Sequence, residues 1–132
     1  MGKRILVVDD TKIICIALRM ILGEAGYEVD IAADGQEAVD RCRGKRYDLV
    51  FLDLMMPRLG GIAACRCIKA INPHTECVLM TGHVDADLPL REQEFVAAGG
   101  KIYNLGLLRN SVSSGNFQSK KAGLSERLSK KL

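Results

Sequence analysis

Short apolar runs that close on carboxylates, separated by segments of helical period, constrain this chain more than any other feature. Arg4 to Asp9 (RILVVD) is rich in β-branched residues and ends in the acids Asp9 and Asp10, and Asp48 to Asp53 (DLVFLD) repeats the pattern and ends on Asp53. Unbroken apolar runs of this length read as parallel strands buried on both faces. Glu28 to Ala32 and Cys77 to Met80 add two more strands, and Lys101 to Leu105 a fifth. From Thr11 onward Ile13, Ile14, Ala17, Leu18, Ile21 and Leu22 recur every three or four positions, which predicts a helix stopping near Gly23 or Gly26. Asp34 ahead of Gly35, with Glu37 three residues on, is a capping arrangement opening a helix to about Gly44. Pro57 and Gly60-Gly61 mark a loop, and Ile62 to Ile71 is helical until Asn72-Pro73. Leu88 to Ala98 carries Pro89 in a first helical turn and is closed by Gly99-Gly100.

Strands alternating with helices over short connections predict an α/β fold: a doubly wound, five-stranded parallel sheet with helices on both faces and right-handed crossovers. Ligands of such sheets bind at the carboxyl ends of the strands. The length of 132 residues suits one domain, with 48% hydrophobic and 27% charged residues. No apolar stretch approaches the roughly 20 residues of a membrane span, and the first ten residues lack the apolar core of a signal peptide, so a cytoplasmic location is expected. The odd cysteine count (Cys15, Cys42, Cys65, Cys67, Cys77), with no second close pair beside Cys65 and Cys67, predicts reduced, buried thiols rather than a zinc site.

Charge divides the chain unevenly. Residues 1–106 hold 13 Lys/Arg against 15 Asp/Glu, and residues 107–132 hold 6 against 1. The expected organisation is a folded body over residues 1–118, its last helix after residue 106 weakly specified, followed by a basic tail over residues 119–132. Leu124, Leu128 and Leu132 leave the tail open to a short amphipathic helix or a disordered segment. With Phe117 the sole aromatic near it, the tail reads as solvated rather than as a nucleic-acid or membrane contact.

If the first and third strands are neighbours, Asp9, Asp10 and Asp53 converge at the ligand edge, where three carboxylates repel one another. A divalent cation relieves this, and Mg²⁺ suits the donor set because it prefers oxygen, keeps several waters and accepts phosphate oxygens beside carboxylates. A metal-assisted phosphoryl site follows.

The ordered segments ILVVDD (5–10), GYEVDIAADGQEAV (26–39), DLVFLDLMMPRLGG (48–61) and VLMTG (78–82) together resemble CheY-like receiver domains of two-component signal transduction over roughly residues 3–105. The resemblance implies a flavodoxin-like strand order 2-1-3-4-5. It also implies Asp53 as phosphoacceptor, and Asp9, Asp10, Asp53 and the Met55 carbonyl as Mg²⁺ ligands. Thr81 would bond a phosphoryl oxygen, with Gly82 leaving the approach open, and Tyr103 would be the aromatic that turns when Thr81 moves. The phosphodonor would be a sensor histidine kinase, a phosphotransfer protein or a small acyl phosphate, and the output a contact with a downstream protein. On this reading the chain is a single-domain response regulator that phosphorylates and dephosphorylates itself and is not an enzyme acting on other substrates.

One position departs from the family. Its fifth strand normally ends in Lys-Pro three residues beyond the place of Tyr103, and this chain has Gly106-Leu107. Lys101 has the wrong strand parity to substitute, while Lys12 and Arg58 are better placed candidates, each of which reads more simply as a solvated surface charge. Gly106 sustains an alternative reading, a receiver-like binding module with impaired switching. A Mg²⁺-dependent phosphatase is a third, although Met55 stands where a second acid would be needed. No Gly-rich loop follows the first strand, which disfavours dinucleotides.

Overall fold

The computed structural model describes residues 3–80 and 87–102. Its elements run β1 (Arg4–Val8), α1 (Lys12–Glu24), β2 (Glu28–Ala32), α2 (Gly35–Gly44), β3 (Leu49–Leu52), α3 (Gly61–Ile71), β4 (Glu76–Leu79), α4 (Leu88–Ala97) and β5 (Lys101–Ile102). All strand pairs are parallel, in the order β2-β1-β3-β4-β5. That is the order implied by the resemblance. Thr81, Gly82, Tyr103, Gly106, the expected helix after residue 106 and the basic tail lie outside the described residues.

Alternation along the strands splits the core in two. Ile5, Val7, Leu49, Phe51 and Val78 pack with Ile14, Leu18, Ile21 and Leu22 of α1, while Leu6, Val8, Val50, Leu52, Cys77 and Leu79 pack with α2, α3 and Phe95 of α4. Each of these side chains is buried, which stabilises the fold by roughly 1.5–3 kcal/mol for a Val, Leu, Ile or Phe.

Local chemistry sets the helix ends. α1 and α4 close identically: Gly26 and Gly99 both take φ 98°, left-handed backbone that favours glycine. Their N–H groups donate to Gly23 and Val96, and the following N–H groups of Tyr27 and Gly100 donate to Leu22 and Phe95. At the start of α2 the Asp34 carboxylate accepts from Glu37 N at 2.8 Å, and the Glu37 carboxylate accepts from Ala33 N at 2.9 Å. The expected capping arrangement is therefore formed, with the return bond reaching one residue further back than the cap itself.

The thiol expectation needs one correction. All five cysteines are free, and Cys15, Cys65 and Cys77 are buried, but Cys42 is half-buried and Cys67 is exposed. Two residues apart on α3, Cys65 and Cys67 stand about 200° apart around the helix, so only one can face the core. Among the described residues no helix is long and apolar enough to cross a membrane.

Candidate functional site

Strand register builds the site. Val8 pairs with both Ala32 and Leu52, and Leu52 pairs with Leu79, so the next residues of β1, β3 and β4 (Asp9, Asp53 and Met80) form a row at the carboxyl edge. The ladder runs on through that row: Asp9 N donates to Ala32 O, Asp53 N to Val8 O, and Met80 N to Leu52 O. Asp9 and Asp53 are each only 1% exposed, whereas Asp10, turning toward α1, is exposed. Ligand oxygens of Asp9, Asp10 and Asp53 all lie within 4.8 Å of one another. The convergence expected from sequence is present.

Backbone donors orient these carboxylates. Asp9 Oδ1 accepts from Thr11 N at 2.9 Å, and Asp53 Oδ1 accepts from Met55 N at 3.3 Å. The Cys15 thiol donates to the Asp9 carbonyl at 3.3 Å; burial first, then the Asp9 charge, pushes that thiol up to about 11. A cavity of about 240 Å³ adjoins the cluster between α1 and α2, lined by Asp9, Asp10, Lys12, Cys15, Glu37 and Arg41 among others. Three hard carboxylate donors at this spacing, two of them withdrawn from water, suit Mg²⁺ or another oxygen-seeking divalent cation.

The loop between β3 and α3 carries the rest. Met55 has an exposed side chain whose sulfur lies 2.9 Å from Arg91 Nη1 of α4. At the far end of the loop Gly61 N donates to Leu54 O at 3.2 Å, and a Cβ on Gly61 would collide with the Asp53 carbonyl oxygen. Glycine is required there by close approach.

The cations nominated to replace the absent family lysine fare differently. Arg58 is committed elsewhere: its Nε and Nη2 lie 2.8 Å and 2.6 Å from Asp34 Oδ2, at the mouth of α2. The structure thus directs the Arg58 guanidinium to Asp34 rather than to solvent or to Asp53. Lys101 pairs with Glu76 at 2.8 Å, and Lys12 lines the cavity beside Asp9 and Asp10. Sequence reading took Asp34 only as a helix cap and missed its second role. No local signal marks a partner 24 residues away.

A family model described as the response regulator receiver domain matches residues 5–99. The response regulator MprA of Mycolicibacterium vanbaalenii is 42% identical over 81 residues, which cover 61% of this chain and 35% of that protein. The chain thus matches about a third of the length of such relatives. Among solved structures, chemotaxis protein CheY4 of Vibrio cholerae superposes with a TM-score of 0.71 at 28% identity, covering 83% of this chain and 96% of its own. A two-component response regulator from Clostridium difficile gives 0.70 at 25% identity, over 86% and 94%.

Proposed function

Because the chain belongs to the response-regulator receiver family, we propose that Asp53 is its phosphoacceptor, loaded in the presence of Mg²⁺ from a phosphohistidine of a sensor kinase or phosphotransfer protein, or from a small acyl phosphate. The observation that carries this reading is the convergence of Asp9, Asp10 and Asp53 at the strand edge, with ligand oxygens within 4.8 Å.

The chemistry is nucleophilic attack by a carboxylate. An Asp53 oxygen forms a bond to phosphorus while the P–N bond of phosphohistidine, or the P–O bond of the acyl phosphate, breaks and its electron pair leaves with the donor. Met55 N–H restrains rotation of the Asp53 carboxylate through Oδ1. Mg²⁺, when bound by the three aspartates and, by the resemblance, the Met55 carbonyl, neutralises charge on the phosphoryl oxygens. Thr81 as the hydroxyl that meets a phosphoryl oxygen, and Tyr103 as the responding aromatic, belong to the same proposal on sequence grounds alone. The domain catalyses its own modification rather than turning over a separate substrate, and its output is a contact with a downstream protein.

The second reading, a binding module with weak switching, is favoured by Gly106 together with the engagement of Arg58 by Asp34 and of Lys101 by Glu76. Incubation with Mg²⁺ and a small acyl phosphate should add the mass of one phosphoryl group to the wild type and none to Asp53→Asn. Equal uptake by both would remove Asp53 from the reaction.

A further inference from the structure

The loop that carries Asp53 and Met55 is tied down at a point the phosphoryl chemistry does not use. Arg58 takes φ 66°, left-handed backbone and the only such non-glycine among the described residues, at the centre of a tight turn closed by Leu59 N to Pro57 O at 2.8 Å. A side chain resists that conformation unless its surroundings impose it. Here they do so twice. The guanidinium reaches Asp34 Oδ2 through Nε and Nη2, at 2.8 Å and 2.6 Å, while Asp34 Oδ1 accepts from Glu37 N at 2.8 Å. The Leu59 carbonyl lies so close to Gly35 that a Cβ there would collide with it, which seats the loop backbone on the first residue of α2.

Exposed ion pairs ordinarily do little, since solvent screens them and two long side chains must be held still. This one differs on the acid side, because Asp34 is only 8% exposed and is already fixed by its cap bond. A rigid carboxylate receiving a planar fork is a directional anchor. Only residues 54–57 separate that anchor from Asp53, so pinning Arg58 restricts where the Met55 backbone can lie. Met55 N in turn orients Asp53 Oδ1.

We propose that the Arg58–Asp34 pair is a strap that positions the phosphoacceptor loop, making Arg58 and Asp34 positioning residues for the reaction at Asp53. The proposal rests on the phosphoacceptor reading and adds to it a control point on α2. Removing the strap lets the loop relax, the Met55 amide withdraws from Asp53, and the attacking carboxylate loses that one of the bonds that orient it.

The test separates positioning from folding. Arg58→Gly relieves the left-handed residue while deleting the strap, so its melting temperature stays at or above wild type. Its maximal phosphorylation rate by a small acyl phosphate should nevertheless fall about ten-fold, with the half-saturating donor concentration unchanged. Asp34→Asn keeps the helix cap, for which Asn serves as well as Asp, yet should lose the same factor. The double variant should be no slower than either single one, and Arg58→Lys should recover part of the rate. A second readout needs no donor: the Met55 amide resonance should shift alike in Arg58→Gly and Asp34→Asn. Wild-type rates in Arg58→Gly, fully multiplicative losses in the double variant, or an unmoved Met55 amide would each overturn the strap. If the wild type takes up no phosphoryl group, the acceptor reading falls, and the Met55 amide alone decides the strap.

Discussion

Removing one charge from the acidic cluster should stabilise the metal-free protein while weakening its response to Mg²⁺, and Asp10→Asn is the cleanest such change because Asp10 is the exposed member. With ligand oxygens within 4.8 Å, each carboxylate pair repels by about 3.5 kcal/mol at an effective dielectric near 20 and by about 1 kcal/mol at that of water. Exposure places Asp10 near the lower figure. Relief of its repulsion with Asp9 and Asp53 then amounts to about 1–2 kcal/mol, a rise in Tm of about 4–8 °C for a chain of this length. The gain should shrink as salt is added, since screening acts on an exposed charge. Mg²⁺ reverses the comparison. A cation bound only by the folded state stabilises it by about 2.7 kcal/mol at a hundred times its Kd, and each ten-fold loss of affinity removes about 1.4 kcal/mol of that. Scanning calorimetry of wild type and Asp10→Asn, with and without Mg²⁺ and at low and high salt, tests all three statements. A lower metal-free Tm in Asp10→Asn together with an undiminished Mg²⁺ response would refute the reasoning.

Asp30, on β2, accepts from Tyr47 Oη at 2.6 Å and from Lys45 Nζ at 3.0 Å; burial pushes its carboxyl up, but these two partners outweigh it and hold it below the usual range. A lowered carboxylate contributes stability above its unfolded pKa and loses it as pH falls through the folded one. Tyr47→Phe should therefore cost about 1.5–3 kcal/mol at pH 7 and progressively less below about pH 4, read by urea unfolding at the two pH values. An alkylating reagent should modify the exposed Cys67 first and leave the buried Cys15 and half-buried Cys42, both pushed up to about 11 chiefly by burial, unreacted until the fold opens, as time-resolved mass spectrometry will show. Gly61→Ala should lower stability by about 1–3 kcal/mol and weaken Mg²⁺ binding in calorimetric titration, because its methyl group meets the Asp53 carbonyl.

The elements legible in the sequence are those whose determinants are local. Asp34 and Glu37 announce the start of α2, and Gly26 and Gly99 the ends of α1 and α4, because caps are written within a few residues. The carboxylate convergence was legible only on the assumption that β1 and β3 are neighbours; period and spacing did not supply that, and the strand order came from the family resemblance. Pairings that close long loops left no sequence trace. Arg58 looked like a spare cation near Asp53, and only the fold brings Asp34 to it. Cys67 shows the opposite case, since helical phase alone separates it from Cys65 and its exposure was readable from the start.

The central claim concerns one residue, and chemistry that reports on that residue tests it most directly. An acyl phosphate on an aspartate is reduced by borohydride to homoserine, so the wild-type protein, treated with Mg²⁺ and a small acyl phosphate, reduced and sequenced by tandem mass spectrometry, should carry homoserine at position 53. The conversion should depend on Mg²⁺ and appear at no other acid. Homoserine at position 9 or 10, or none at position 53 under conditions where the fold and Mg²⁺ binding are intact, would contradict it.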